Sequence, residues 1–241
     1  MRTTLTAQEI FRAALRLVDS DGLDSLTMRG LAGGMGVAPM TLYGHVATKD
    51  DLLLGVLNLV NEEIALPGPG VAPWQAYREV SREFRRVALL HPNLVPLIMR
   101  RPPTGSQGLL TLEAALDALR RAGVPTSLAA QAYRLMASFV IGFVSLECGG
   151  FFLPVDVEAG ERVAPIEVSA IPRIVEVTAY LTEWDADSEF EKGVDALIGV
   201  VAVWTSPVPG QVVEDDRSRS GHVERVDTVA HGDPHPAIGR L

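Results

Sequence analysis

The chain has little with which to build covalent or metal-based chemistry. Cys148 is its one cysteine, which excludes an internal disulfide and fits a reducing compartment. It lies in an apolar helical run and reads as a small buried hydrophobe rather than a redox sensor. No Gly-x-Ser-x-Gly elbow, phosphate-cradling glycine loop, His-Glu-x-x-His helix or paired-cysteine metal site occurs, so a non-enzymatic protein is expected. His231 and His235 form a spaced pair near the C-terminus, but structural metal sites take about three or four ligands, and neither metal nor cofactor is expected. Long hydrophobic runs are missing too. The longest uncharged apolar stretch, 135–146, is well short of the ~20 residues a membrane span needs. No basic segment followed by an apolar core opens the chain. A cytoplasmic protein without membrane contact is the expectation.

Positive charge is also scarce. The 21 Lys and Arg face 30 Asp and Glu, a net charge of -9. Even residues 1–66 carry only Arg2, Arg12, Arg16, Arg29 and Lys49 against Glu9, Asp19, Asp21, Asp24, Asp50, Asp51, Glu62 and Glu63. This balance excludes a protein that coats nucleic acid by bulk electrostatics. Any DNA affinity must come from local placement and few phosphate contacts.

What is plentiful is apolar residue in helical register. Hydrophobic residues make up 47% of the chain, ample for a buried core, and period-two alternation is nowhere sustained, so an all-α fold is predicted. Thr6 and Glu9 form a capping-box pair ahead of a helix that ends before Gly22, and Thr48 with Asp51 repeats the pattern ahead of a helix to residue 66. Pro67-Gly68-Pro69-Gly70 then marks a domain boundary. Beyond it, helices are predicted over 73–90, 92–100, 105–122, 126–149, 169–184 and 187–204, with a long loop at 150–168. The expected organisation is an N-terminal three-helix unit with its exit helix, 1–66, an all-helical second domain, 67–204, and a disordered tail, 205–241, rich in Pro, Gly and mixed charge.

The stretch 27–49 organises the rest. Thr27 is placed as the N-cap of a short helix whose stripe is Met28, Leu31, Ala32 and Met35. Gly36 supplies the left-handed turn, and Pro39 suits the first position of the next helix. On that second helix Leu42 and Val46 lie four apart, facing the first, while Thr41, Tyr43 and His45 are left outward and Lys49 falls just beyond the end. A hydroxyl, a phenol, an imidazole and an ammonium are donors suited to phosphates and base edges. With Arg29, Pro39 and Met40 beside them, they form a predicted DNA-reading face. Gly44 weakens the reader helix by about 1 kcal/mol relative to Ala.

The run Gly36-Val37-Ala38-Pro39-Met40-Thr41-Leu42-Tyr43-Gly44-His45, followed by Lys49, resembles the helix-turn-helix of the TetR family of bacterial repressors. Looser matches to the family's ligand domain follow at Trp74-Gln75, Arg101-Pro102, Leu112-Glu113 and between Gly142-Phe143 and Leu146-Glu147. The resemblance implies a homodimer that grips a palindromic double-stranded DNA operator and releases it when a small-molecule inducer fills the second domain. It implies further that two apolar helices pair with their symmetry mates, one lined by Leu128, Ala132, Leu135, Phe139, Phe143 and Leu146, the other by Phe190, Val194, Leu197, Val201 and Trp204. Arg101 and Glu147 match positions around the drug and its metal ion in the tetracycline repressor. The segment 95–100 holds no histidine, so magnesium-tetracycline is not the expected inducer. A larger, mainly apolar molecule is, with Phe139 and Phe143 as walls and Arg101 or Glu147 orienting a polar group. The rival readings are a DNA-binding dimer without ligand control and an all-α enzyme.

Overall fold

The computed structural model describes residues 5–101, 104–151 and 167–205. It divides into a unit of Met1–Ser206 and a second of Pro207–Leu241. The expected tail, apart from Thr205, and the His231/His235 pair lie outside the described residues, as does most of the expected loop at 150–168. Among the described residues there are ten α-helices and no strands.

Each early helix begins where its side chains can cap it. Helix α1 (Ala7–Asp21) follows Thr6, whose hydroxyl accepts from the Glu9 backbone N–H while the Glu9 carboxylate accepts from the Thr6 N–H at 2.8 Å. Gly22, at φ 83°, ends it. Helix α2 (Met28–Gly34) is capped by Thr27 on the Gly30 N–H at 3.0 Å, and Gly36 turns the chain at φ 67°. Helix α3 (Pro39–Tyr43) follows, then α4 (Lys49–Asn61), opened by the Thr48–Asp51 box. The sequence predicts α4 to continue to residue 66, whereas it stops at Asn61. Ile64 is nonetheless buried, carried inward by turn bonds from Glu63 and Ile64 back to Val60 and Asn61.

Helix α5 (Pro73–Leu90) leads through a 3-10 turn, Pro92–Leu94, into α6 (Val95–Arg100). Helices α7 (Ser106–Arg121), α8 (Thr126–Cys148), α9 (Pro172–Thr182) and α10 (Ala186–Ala202) complete the set. Pro96 and Pro172, which lack the N–H that would bond back four residues, explain why the predicted helices at 92–100 and 169–184 each split into a 3-10 turn and a shorter helix. Helix α8 is long and apolar enough to cross a bilayer by length and composition. Its Ala129, Ala132, Met136 and Val140 are instead buried in a core with α5, α7 and α10.

Two large apolar clusters hold the unit together. The first joins Ile10, Val18, Leu31, Leu42, Leu52 and Val56 of α1 to α4, and it also takes in Val87, Leu94 and Leu97 from beyond the Pro-Gly segment. Polar contacts reinforce that link. His91 Nδ1 lies 3.0 Å from both Asp19 carboxylate oxygens, and Nε2 lies 3.3 Å from Glu63. Asn93 donates to the Val18 and Asp19 carbonyls at 3.0 and 3.1 Å, satisfying acceptors that α1 leaves open at its C-terminus. The second cluster is built by α5, α7, α8 and α10 around Phe190, Leu119, Met136 and Val194. An ion-pair ladder runs along it, Arg78 to Asp195 at 2.6 Å, Arg82 to Glu191 at 2.5 Å and Arg85 to Asp187 at 2.7 Å.

This packing corrects the expected stripes on α8 and α10. Ala132, Phe190, Val194 and Val201 are buried within one chain, because the two helices face each other and α5. The exposed apolar residues of α8 and α10 are Leu135, Leu146 and Val200, and α9 shows Ile174, Val175, Val177, Tyr180 and Leu181 outward.

Candidate DNA-reading face and ligand cavity

The face at 27–49 is built by burying its back. Leu31, Ala32, Leu42 and Val46 are nearly inaccessible and pin α2 against α3. Arg29, Pro39, Met40, Thr41, Tyr43, His45 and Lys49 are all exposed. Met40 is the most prominent apolar group of the set, at 77% exposure.

One detail differs from the predicted geometry. Helix α3 ends at Tyr43 with Gly44 as its cap, so the glycine expected to weaken the helix instead terminates it, and His45 lies past its end. The turn keeps helical bonding all the same, since the Val46 N–H donates to Leu42 O at 2.9 Å, which preserves the four-residue relation of Leu42 and Val46. Lys49, beyond the end of α3, is the first residue of α4, in keeping with the predicted Thr48–Asp51 capping box.

Local charge is arranged more favourably than composition suggests. Asp51 closes the α4 capping box, accepting from the Thr48 N–H at 3.0 Å and hydroxyl at 2.8 Å. Asp50 accepts from Arg101 Nη2 at 2.7 Å. The two carboxylates next to Lys49 are thus both engaged, leaving the ammonium the better placed for a phosphate.

A second site lies behind this face. A partly open cavity of about 420 Å3 is lined by α4 through α8, with Leu54, Leu57, Val80, Phe84, Ile98 and Val140 among its apolar walls. Asn58 and Asn61 of α4, Tyr77, Thr111, Tyr133 and Arg101 add polar groups. Burial pushes the Tyr77 phenol well above its ordinary range, with nearby Tyr133 adding to the effect, and burial raises Tyr133 as well. Both are therefore neutral hydrogen-bond donors. Gly105 sits so close to Asn58 that an added Cβ would meet the amide oxygen.

Of the four residues predicted around a ligand, the structure places one here, Arg101. The expected placement of Phe139, Phe143 and Glu147 is corrected. Phe139 and Phe143 pack on Phe190 with ring centroids 6.1 and 5.4 Å away, and Phe143 also meets Trp184. Glu147 is held by Arg85 at 2.5 Å, both side chains largely out of water, and the Arg85 guanidinium lies 5.1 Å from the Phe190 ring centre. These residues face α10 rather than the cavity. Sequence reasoning missed Asn58, Asn61, Tyr77 and Tyr133. The signal for the first two was an amide pair three residues apart on a helix whose neighbouring positions, Leu57 and Val60, are apolar.

A helix-turn-helix with an exposed donor face, joined to an all-helical unit with a largely apolar cavity, defines the class of DNA-binding transcriptional regulators. Comparison with known proteins agrees with that class. Residues 10–56 match the model of bacterial regulatory proteins of the tetR family, and residues 66–203 match the tetracyclin repressor-like C-terminal domain. The chain belongs to the TetR family, whose members are transcription factors and not enzymes. It is 37% identical over 144 residues to an HTH-type transcriptional regulator of Saccharopolyspora erythraea, covering 59% of this chain and 61% of that one. It is 28% identical over 211 residues to the class A tetracycline repressor from transposon 1721 of Escherichia coli, covering 83% and 92%. Among solved structures, Streptomyces coelicolor ActR in complex with actinorhodin superposes with a TM-score of 0.72 at 29% identity, over 85% of this chain and all of that one.

Proposed function

We propose that the chain is a homodimeric repressor that binds a two-fold operator through Arg29, Pro39, Met40, Thr41, Tyr43, His45 and Lys49 and releases it when a small molecule fills the cavity behind α4. The division of labour falls near residues 66 and 67, the reader on one side and the ligand and dimer helices on the other. One observation carries the reading: α4 contributes Leu54, Leu57, Asn58 and Asn61 to the cavity wall and begins with Lys49. A molecule lodged there presses on the helix whose other end meets DNA, which is the differential contact that ligand control requires. The ligand-bound structure of ActR supports the same use of this fold. Leu135, Leu146 and Val200 supply the exposed apolar patches for pairing with a second copy.

The test begins with a duplex selected on the protein from a random-sequence pool. A two-fold-symmetric duplex should bind one dimer, and the Tyr43→Ala/Lys49→Ala double variant should lose affinity with unchanged helical circular dichroism. Undiminished binding by that variant removes the DNA-face assignment. Binding to the duplex that no member of a broad panel of small molecules weakens would favour a constitutive DNA-binding dimer.

A further inference from the structure

The cavity is rich in donors and lacks acceptors of negative charge. Tyr77, Tyr133, Asn58, Asn61, Arg100 and Arg101 all reach its lining, and no Asp or Glu does among the described residues. Tyr77, 3% exposed, and the half-buried Tyr133 both stand in its wall. Their neutral phenols are donors that an anionic group entering the cavity can accept from. A cationic ligand would meet two arginines and no carboxylate.

Arg101 has a second allegiance. Its guanidinium is held by Asp50 at 2.7 Å, a pair in which the carboxylate is 75% exposed. Pairs this wet are held weakly, and an anion inside the less polar cavity competes well for the same guanidinium. Asp50 directly follows Lys49, and Asp51 is already committed to its capping box. Loss of Arg101 therefore leaves an uncompensated negative charge beside the lysine expected to touch phosphate.

We propose that the cavity takes an apolar organic acid, and that its anionic group draws Arg101 away from Asp50, so that the exposed Asp50 charge loosens Lys49 from the DNA backbone. This rests on the reading of cavity and DNA face given above. It makes Arg101 the sensor of ligand charge and Asp50 the element that carries the signal to the operator.

Two fluorescent probes with the same aromatic body separate the terms, anionic 8-anilinonaphthalene-1-sulfonate and neutral N-phenyl-1-naphthylamine, each titrated into the full-length protein. The wild type should bind the anionic probe about tenfold or more tightly than the neutral one, the scale of a charged hydrogen bond. Arg101→Gln should erase that preference while leaving the neutral probe's Kd within about twofold, and Asp50→Asn should strengthen only the anionic probe. The anionic probe should also weaken wild-type binding to the selected duplex, and Arg101→Gln should bind that duplex weakly with no further response. Equal affinity for both probes, or a preference that survives Arg101→Gln, overturns the organic-acid inference and leaves the cavity reading standing. If neither probe binds, or if Thr111→Trp, which narrows the cavity from a half-buried position, weakens neither, the cavity reading falls with it. A duplex that does not bind at all removes the DNA-face reading, whereas a duplex that binds and is not weakened by the anionic probe, with the probe preference intact, overturns the Asp50 step.

Discussion

Removing the Glu147 carboxylate leaves Arg85 charged in a place that water reaches poorly. The guanidinium meets Glu147 through two bonds, Nη2 at 2.5 Å and Nε at 2.8 Å, and the two side chains are only 13% and 11% exposed. Breaking a buried pair by deleting one partner costs about 3–5 kcal/mol. Asp187 remains as a partner at 2.7 Å, but it is 87% exposed, so it offsets only part of the loss. The Glu147→Ala variant should therefore lose about 3 kcal/mol, a fall in Tm of about 6–12 °C for a folded unit of this size. The assay is thermal and urea unfolding at matched protomer concentration, since the proposed dimer makes both midpoints concentration-dependent. The double variant Arg85→Met/Glu147→Leu should recover most of the loss, because apolar isosteres can replace a buried pair at little cost. A Glu147→Ala midpoint within about 1 °C of the wild type refutes the account of this pair.

Four further outcomes follow from the same structure. Gly55→Ala brings a Cβ within 2.2 Å of the Phe11 ring and should cost about 1–3 kcal/mol through forced repacking; an unchanged urea midpoint contradicts it. The Thr6 backbone N–H, with its hydroxyl, holds the Glu9 carboxyl below its ordinary range. A depressed folded pKa contributes stability that is full above the unfolded value near ~4.3 and is lost as pH falls through the folded one. Thr6→Val keeps the N–H but removes the hydroxyl, so the Glu9 midpoint followed by carboxyl NMR should rise part of the way, and no movement would count against the capping account. Lys49→Ala should reduce the salt dependence of operator binding by about one unit of slope, and an unaltered slope would mean that Lys49 meets no phosphate. Leu146→Glu, at an exposed apolar site on α8, should lower the dimer fraction measured by light scattering, and an unaffected dimer would place the interface elsewhere.

Features set by neighbours in sequence were legible before the fold was known. The caps at Thr6, Thr27 and Thr48 depend on residues three apart, and helix period marks most of the other boundaries to within a few residues. The outward placement of Thr41, Tyr43 and His45 was legible for the same reason, since it follows from Leu42 and Val46 turning inward. The stop of α3 at Tyr43 was not, because a short helix before Gly44 and a continued one share the same apolar spacing. Glu147 was misplaced because its partner Arg85 stands 62 residues away, and no local pattern announces such a pair. Phe139 and Phe143 look like cavity walls on a single helix. They belong to α10 only once Phe190 is brought against them. The amides of Asn58 and Asn61 become part of a cavity wall only when α5 through α8 pack around them.

The clamp of His91 and Asn93 on the end of α1 bears on how this protein can be cut and recombined. Val87, Leu94 and Leu97 lie beyond the Pro-Gly segment in sequence yet fill the core of α1 to α4. A fragment ending at residue 66 would open that core to water and strip α1 of the groups that bind its last carbonyls. A hybrid that pairs this reader with a relative's sensor must therefore carry residues 84–98 along with the reader, or match them in the donor. The physical seam between the two halves runs through α5, some twenty residues past the place where the sequence breaks.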